Sequence, residues 1–174
     1  MVGAPAVGWA LKTPVIVRPY GNPFQDMCTM VGLMTLTWAW IENSLAITIG
    51  VINEHGGPIK GHPVAPLSLS KRIACLKVAL RDLAVLKPLQ QEGRGLAARL
   101  TELGRRRHDF IHGAAWQLEK GRFQSVSLAV KAGNYALENH SFDISVAHDL
   151  NTQIAKLQDD MVSFMLKVVG VFQE

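Results

Sequence analysis

The sequence has few of the features that mark a secreted protein. It contains two cysteines, Cys28 and Cys75, and both fall in apolar segments that are predicted to be helical. We therefore expect buried free thiols in a reducing compartment and no disulfide. The first 20 residues lack a charged start followed by an apolar run, so no signal peptide is indicated. Together these absences predict a cytoplasmic protein.

Long apolar runs and the common cofactor motifs are also missing. The nearly apolar run Met27–Ile41 has 15 residues, whereas a membrane-spanning helix needs about 20, and Glu42 would lie inside any longer span. There is no G-x-S-x-G, no P-loop and no G-x-G-x-x-G, and Gly93-Arg94-Gly95 is a fragment without a flanking strand. We expect no membrane association and no cofactor.

What is present predicts one mainly α-helical domain. The chain is 48% apolar and 18% charged, as in globular proteins, and is long enough for a real core. Apolar periodicity and capping residues predict a bundle of about four main helices. We expect them at Pro23 to about Ile52, Ser68 or Ser70 to about Lys87, Leu89 or Arg94 to Gly113, and Asp143 or Ser145 to about Val169.

Three further segments complete this organisation. Residues 1–21, with three prolines and three glycines, are predicted to form an extended arm before a single domain at 22–174. The segment Asn53–Leu67 is predicted to be a loop, with His55 and His62 exposed. Phe123–Val130 and a returning strand near Tyr135 predict a small β-hairpin before the last helix.

The first helix is unusual because it is hydrophobic all round. Such a helix is buried either by its own chain or by a second subunit, and the sequence leaves both alternatives open. Glu42 interrupts the apolar pattern and needs a partner if it is buried. It is predicted either to orient an arginine or a histidine or to reach solvent.

Reactive side chains are concentrated in one short stretch. Residues 105–113 contain three arginines, two histidines, an aspartate and a glycine. On a helix, His108 and His112 share a face with Arg105, Asp109 lies at its margin, and Arg107 is rotated from His112 by roughly 140°. The glycine at position 104 would allow a local irregularity of the helix that turns the Arg107 side chain towards the face of His112.

The basic charge of the chain surrounds this stretch. Of the 18 lysines and arginines, 13 fall in residues 71–131, together with 5 of the 14 acidic residues. This segment therefore has a surplus of 8 positive charges, although the whole chain carries only +4. A basic surplus of this kind suits an anionic partner, although ordinary solvated helix surface is the alternative.

Arg107-His108-x-x-x-His112-Gly113 resembles the R-x4–6-H motif of the HEPN superfamily. The usual form has Arg, a polar residue that is most often Asn, three further residues, and a His often followed by Gly; here the polar residue is His108. The all-helical context and the position of the motif in the third helix add to the likeness. The motif covers six residues, and the compatible helical context covers about two thirds of the chain.

The resemblance implies a helical domain that dimerises so that two motifs line one cleft. It implies a metal-independent endoribonuclease, toxin-like or defence-related, with RNA as substrate and with an antitoxin or a nucleotidyltransferase as a partner. Arg107 would bind phosphate, His112 would move a proton and His108 would assist. Arg105 and Arg106 are candidate substrate contacts, with Asp109 and Glu42 in support.

Two alternatives remain beside this hypothesis. The same bundle could be a non-catalytic domain that binds RNA, a nucleotide or a partner protein, or its arginines could pair with Glu42 and Asp109 for structural reasons only. The His108-x-x-x-His112 spacing also occurs in helical zinc sites, but no third ligand is indicated, so we expect no metal.

Overall fold

The computed structural model describes residues 21–59, 68–112, 114–119, 121–131 and 134–173. Four α-helices and a small antiparallel sheet make up this part of the chain, which confirms the mainly α fold. Nearly all of the predicted arm at 1–21, and residues 60–67 of the predicted loop with His62, lie outside the described residues.

Helix α1 spans Pro23–His55. Asn22 caps it, since its side-chain oxygen accepts a hydrogen bond from the amide of Phe24 at 3.0 Å, and Pro23 occupies the first turn, where no amide donor is needed. The helix ends three residues later than predicted, with the Gly56 amide bonded to the Ile52 carbonyl at 2.7 Å. The expected loop therefore starts after His55, whose exposed ring stacks on Phe172 at 5.9 Å.

Helix α2 spans Leu69–Asp82, and a 3₁₀ helix follows at Ala84–Leu89. The prediction that α2 continues to Lys87 was wrong. The α-helix ends at Asp82 because the backbone of Leu83 is extended, with φ −93° and ψ 114°. The 3₁₀ helix that follows contains Pro88.

Helix α3 spans Gln90–His112 and packs against both α2 and α4. Its predicted stripe Leu96, Leu100 and Leu103 is buried. Gly93 allows the close packing, because a Cβ atom there would lie 2.5 Å from a methyl carbon of Leu80. The helix stops at His112, directly before the predicted terminator.

Three strands form a meander: β1 at Ala114–Glu119, β2 at Arg122–Lys131 and β3 at Asn134–Asp143. The predicted hairpin is the β2–β3 pair, with its register running from Arg122↔Asp143 to Lys131↔Asn134. β1 extends it to a sheet on the other side of β2. Phe123 anchors the sheet in the core, in a ring cluster with Phe142 and Phe110.

Helix α4 spans Ile144–Val171, with Asp143 in the N-cap position. It packs along α1, and their C-terminal ends meet at His55 and Phe172. It runs antiparallel to α3, as contacts that join the two in reverse order show: Glu92–Lys167, Arg99–Asp160 and Arg106–Gln153. The predicted stripe of α4 is buried at Leu150, Ile154, Leu157, Met161, Phe164 and Val168, whereas Val146 is exposed and Ala147 is buried in its place.

The two cysteines differ in burial. Cys75 is buried on α2, as predicted, and burial raises the pKa of its thiol. Cys28 is exposed on α1, so the expectation that it is buried was wrong. Within the described ranges, no helix combines the length and the apolar character needed to cross a membrane.

Candidate active site

Helix α3 carries the three consecutive arginines to three different neighbours. Successive residues of an α-helix point about 100° apart, so the side chains at 105, 106 and 107 cannot share one face. The helix is continuous through Gly104, so the local irregularity that the sequence allowed is not present. Gly104 instead makes room for Trp38 of α1, because a Cβ atom there would lie 3.2 Å from the indole ring.

Arg107 is turned towards α1. Its guanidinium carbon lies 5.8 Å from the centre of the Trp38 ring, a distance at which the cation and the π face attract each other. Burial lowers the pKa of the Arg107 guanidinium, and the nearby Glu42 carboxylate opposes this shift. Its Nε atom is buried and has no hydrogen-bond partner among the residues that the structure describes.

Glu42 belongs to this cluster. One of its carboxylate oxygens accepts a hydrogen bond from the Trp38 indole nitrogen at 2.8 Å, one helical turn away on α1. Its backbone carbonyl accepts a hydrogen bond from Arg72 of α2 at 3.3 Å. The carboxylate therefore binds Trp38 directly and influences Arg107 through charge, and three helices meet at this point.

Arg106 is turned towards α4. Its Nη1 atom donates a hydrogen bond to the side-chain carbonyl of Gln153 at 2.8 Å, and its Nη2 atom lies 3.5 Å from a carboxylate oxygen of Asp149. Gln153 in turn donates to Asp149 at 2.7 Å. Arg106 was a candidate substrate contact, and in the structure it joins α3 to α4.

Arg105 is turned towards solvent. Its side chain is 70% exposed and forms one long ion pair, 3.4 Å, with Glu102 on the preceding turn. It also borders a groove of about 350 Å³ between α2 and α3. Lys77 lies on the same groove, and apolar side chains such as Ile73 and Leu100 line its floor. A flexible cation beside an open groove can bind an anion at little cost in desolvation.

The two histidines lie in the last two turns of α3. His108 is exposed, and His112 is the last helical residue. Because α3 is regular, positions 105, 108 and 112 fall within roughly 60° of one another around the axis. The side chains of Asp109 and His112 lie outside the described part of the structure.

The structure thus separates the predicted site residues into two groups. The exposed Arg105 and His108 share one face of α3 with the backbone position of His112, while Arg107 and Glu42 meet on its α1 side around Trp38. Sequence reasoning missed Trp38 and Arg72. The i, i+4 spacing of Trp38 and Glu42 was the signal for the first, whereas nothing local indicates the contact between Arg72 and Glu42.

Within the described residues there is no cluster of three or more His, Cys, Asp or Glu side chains in a ligand arrangement. Comparisons with models of protein families, with curated proteins and with solved structures found no match to this chain.

Proposed function

We propose that the protein is a metal-independent endoribonuclease of HEPN type, toxin-like or defence-related, that acts as a homodimer and uses the C-terminal turns of α3 as its active site. The observation that carries this proposal is that Arg105 and His108 are exposed on one face of a regular helix, which the backbone position of His112 shares. One face then brings together a phosphate-binding cation and two histidine positions.

This set of groups is sufficient for cleavage of RNA. One imidazole removes the proton from a 2′-hydroxyl, the 2′-oxygen attacks phosphorus, and the bond from phosphorus to the 5′-oxygen breaks. A second imidazole protonates the leaving 5′-oxygen, which leaves a 2′,3′-cyclic phosphate. An arginine holds the phosphate and stabilises the negative charge that builds up in the transition state. His112 and His108 are the proton-transfer groups in this scheme.

The two candidate arginines have different surroundings. The HEPN pattern assigns the phosphate to Arg107, whereas helical geometry assigns it to Arg105. We favour Arg105 for the direct contact, because its side chain is exposed on the histidine face and borders the basic groove with Lys77. Arg107, held against Trp38, is then a fixed cation at the back of the site that adds positive potential.

The test is cleavage of a short fluorogenic RNA by purified protein in the presence of a chelator. His112→Ala should lower the rate by about 10²- to 10⁴-fold, and Arg105→Ala by about 10²-fold or more. Arg107→Ala should lower the cleavage rate by a smaller factor than Arg105→Ala. A substrate with a 2′-deoxy sugar at the cleaved position should remain intact, because it has no attacking hydroxyl.

Two exposed residues provide matched controls. Arg94→Ala removes a cation from the other end of α3, and His148→Ala removes an exposed imidazole from α4. Both variants should cleave RNA at the wild-type rate. Equal cleavage by the wild type and by the Arg105, Arg107 and His112 variants would show that the activity comes from elsewhere or from a contaminant.

A non-catalytic binding domain is the second candidate. It is favoured by the structural use of two arginines, since Arg106 binds α4 and Arg107 packs on Trp38. This alternative predicts that the protein binds RNA, a nucleotide or a partner protein and forms no RNA products even after long incubation. Binding that persists in His112→Ala and is lost in Arg105→Ala would identify it.

A further inference from the structure

The α2–α3 groove, which Arg105 borders, has an apolar floor and is kept open by small residues. Ile73 and Leu100 lie at its floor, and both are buried in the core. Ala74 of α2 and Gly104 of α3 also line it, and neither has a side chain large enough to fill the space. Its volume of about 350 Å³ lies at the lower end of the range for small-ligand sites.

Two cations lie at opposite ends of the groove. Helices α2 and α3 run antiparallel, as two contacts near opposite ends of α2 show: Leu69 beside Gly104, and Leu80 beside Gly93. Lys77 and Arg105 are therefore separated by roughly 13 Å along the helix axes. Lys77 is exposed and forms no ion pair with any residue that the structure describes. No acidic residue is among the described residues that line the groove, so its charge suits an anion at each end.

The end of the groove at Arg105 is continuous with the candidate active site. Arg105 lines the groove and shares one face of α3 with His108, which is exposed one turn further on. A phosphate bound by Arg105 would lie at this end. A strand that continues from that phosphate towards Lys77 would pass along the groove.

The lining of the groove matches the chemistry of unpaired RNA. A nucleobase has two apolar faces and polar edges, and in a strand it lies between two phosphates. The aliphatic floor suits a base face, and the hydroxyls of the exposed Ser70 and Thr101, which also line the groove, suit a polar edge. The two cations suit the phosphates on either side. A fatty acid or a similar amphiphile has only one charged end and would leave one cation unused.

We propose that the α2–α3 groove binds one or two unpaired nucleotides next to the scissile phosphate, with Arg105 on that phosphate and Lys77 on the phosphate at the far end. This inference rests on the proposed function and adds a substrate class to it, single-stranded RNA. In a duplex the bases are stacked and paired, so they cannot enter the groove. The groove holds the substrate, whereas the histidines act on the scissile bond.

The test measures binding apart from cleavage, by fluorescence anisotropy of a short single-stranded 2′-O-methyl RNA. The protein cannot cleave this probe by the proposed route, because the probe has no free 2′-hydroxyl. Ala74→Leu fills the groove from an exposed helical position and should weaken binding by about tenfold or more. Ala155→Leu, the same change at an exposed alanine of α4, is the matched control and should bind as tightly as the wild type.

The salt dependence of binding tests the contact between Lys77 and phosphate. Lys77→Ala removes one cation, so the slope of the logarithm of the binding constant against the logarithm of the salt concentration should become shallower by about 0.7. Lys156→Ala, at an exposed lysine of α4, should leave the slope unchanged. A lysine with a structural role only would change the affinity equally at all salt concentrations. An unchanged slope in Lys77→Ala would therefore refute this contact.

Competition experiments test the kind of ligand. An RNA duplex of the same length should displace the probe only at a concentration at least about tenfold higher than the unlabelled single strand. A duplex that competes as well as the single strand would refute the requirement for unpaired bases. A nucleoside monophosphate that competes as well as the strand would identify a site for free nucleotides and would also contradict the proposal.

The outcomes for the groove and for the proposed function are distinguishable. A wild type that does not bind the probe below about 100 μM would refute the groove site, as would an Ala74→Leu variant that is folded, by circular dichroism, and binds as tightly as the wild type. Groove-dependent binding by a wild type that does not cleave RNA would refute the proposed function and leave the binding site standing. Cleavage with a KM that Ala74→Leu leaves unchanged would refute the groove site and leave the function standing.

Discussion

The two sides of α1 differ from those of an ordinary surface helix. Its inner side holds Glu42, with Trp38 and the half-buried Arg107 of α3, while its outer side exposes Leu36, Trp40 and Ile47. The inner side also carries buried apolar residues such as Met34, Ile41 and Leu45, as expected of a helix that covers a core, whereas a carboxylate is expected on the outer side. The inner side therefore holds the Arg107 cation of α3 beside Trp38 and Glu42, and the outer side exposes large apolar side chains.

The largest effect on stability is expected when two tryptophans on opposite sides of α1, two residues apart, are replaced. Trp38 is 2% exposed and supports both Glu42 and Arg107, whereas Trp40 is 46% exposed. Trp38→Ala should lower the free energy of unfolding by about 3–5 kcal/mol, as for other buried aromatic residues. Trp40→Ala should lower that of the monomer by less than about 1 kcal/mol.

Urea denaturation at low protein concentration measures both free energies without a contribution from association. Equal losses in the two variants would show that the outer face is buried within the chain, and the contrast between the two sides of α1 would not hold.

A smaller effect is expected from Arg107 itself. Because burial lowers its pKa in the folded state, its charge costs stability, and this cost is constant at every pH below the folded pKa. Arg107→Met should therefore change the free energy of unfolding by no more than about 1 kcal/mol, in either direction. This difference should not vary between about pH 6 and pH 9, because a guanidinium does not titrate there.

Arg106→Met is the matched variant on the same helix. It removes the contacts to Gln153 and Asp149 and should lower stability by about 1 kcal/mol. Thermal unfolding of both variants at several pH values provides the comparison. If Arg107→Met is stable but impaired in RNA cleavage, the half-buried cation is retained for function rather than for stability. A large loss of stability in Arg107→Met would favour a purely structural role.

The smallest effect on stability is expected when two glycines of α3 are each replaced by alanine. Gly95 faces open space, so Gly95→Ala should raise the free energy of unfolding by about 0.5–1 kcal/mol through helix propensity. At Gly104 the added Cβ atom would lie 3.2 Å from the buried Trp38 ring, which has little room to move. Gly104→Ala should therefore leave the free energy of unfolding unchanged or lower it.

Chemical denaturation of the two glycine variants under one set of conditions measures the difference. A full gain at Gly104 would show that the contact between α3 and Trp38 is loose, and it would weaken the interpretation of Arg107 as a fixed cation.

Most of the fold could be predicted, because its signals are local. The Asn22-Pro23 start of α1 and the regular apolar stripe of α4 each lie within one segment, and the structure confirms both. The errors arose where a distant residue or a neighbouring helix decided the outcome. The chain becomes extended at Leu83 and ends α2 early, α4 leaves Val146 exposed, and α1 leaves Cys28 exposed.

The candidate site was predictable only in part. The sequence indicated the stretch from Arg105 to His112 and a role for Glu42 beside it. It could not determine which arginine is free to bind a ligand, because that depends on Trp38, Gln153 and Asp149 in other helices. The RNase activity and the roles of His108 and His112 remain predictions.

By itself, the sequence determined the helical periods, their caps and the concentration of arginine and histidine at the end of one helix, because these depend on neighbours along the chain. Tertiary structure alone decided that Arg105 faces solvent, Arg106 faces α4 and Arg107 faces Trp38, and that no described residue covers Leu36, Trp40 and Ile47 of α1. The physical reason is the 100° turn between successive helical residues: it sends adjacent side chains in different directions, and only the packing of distant segments determines what each one meets.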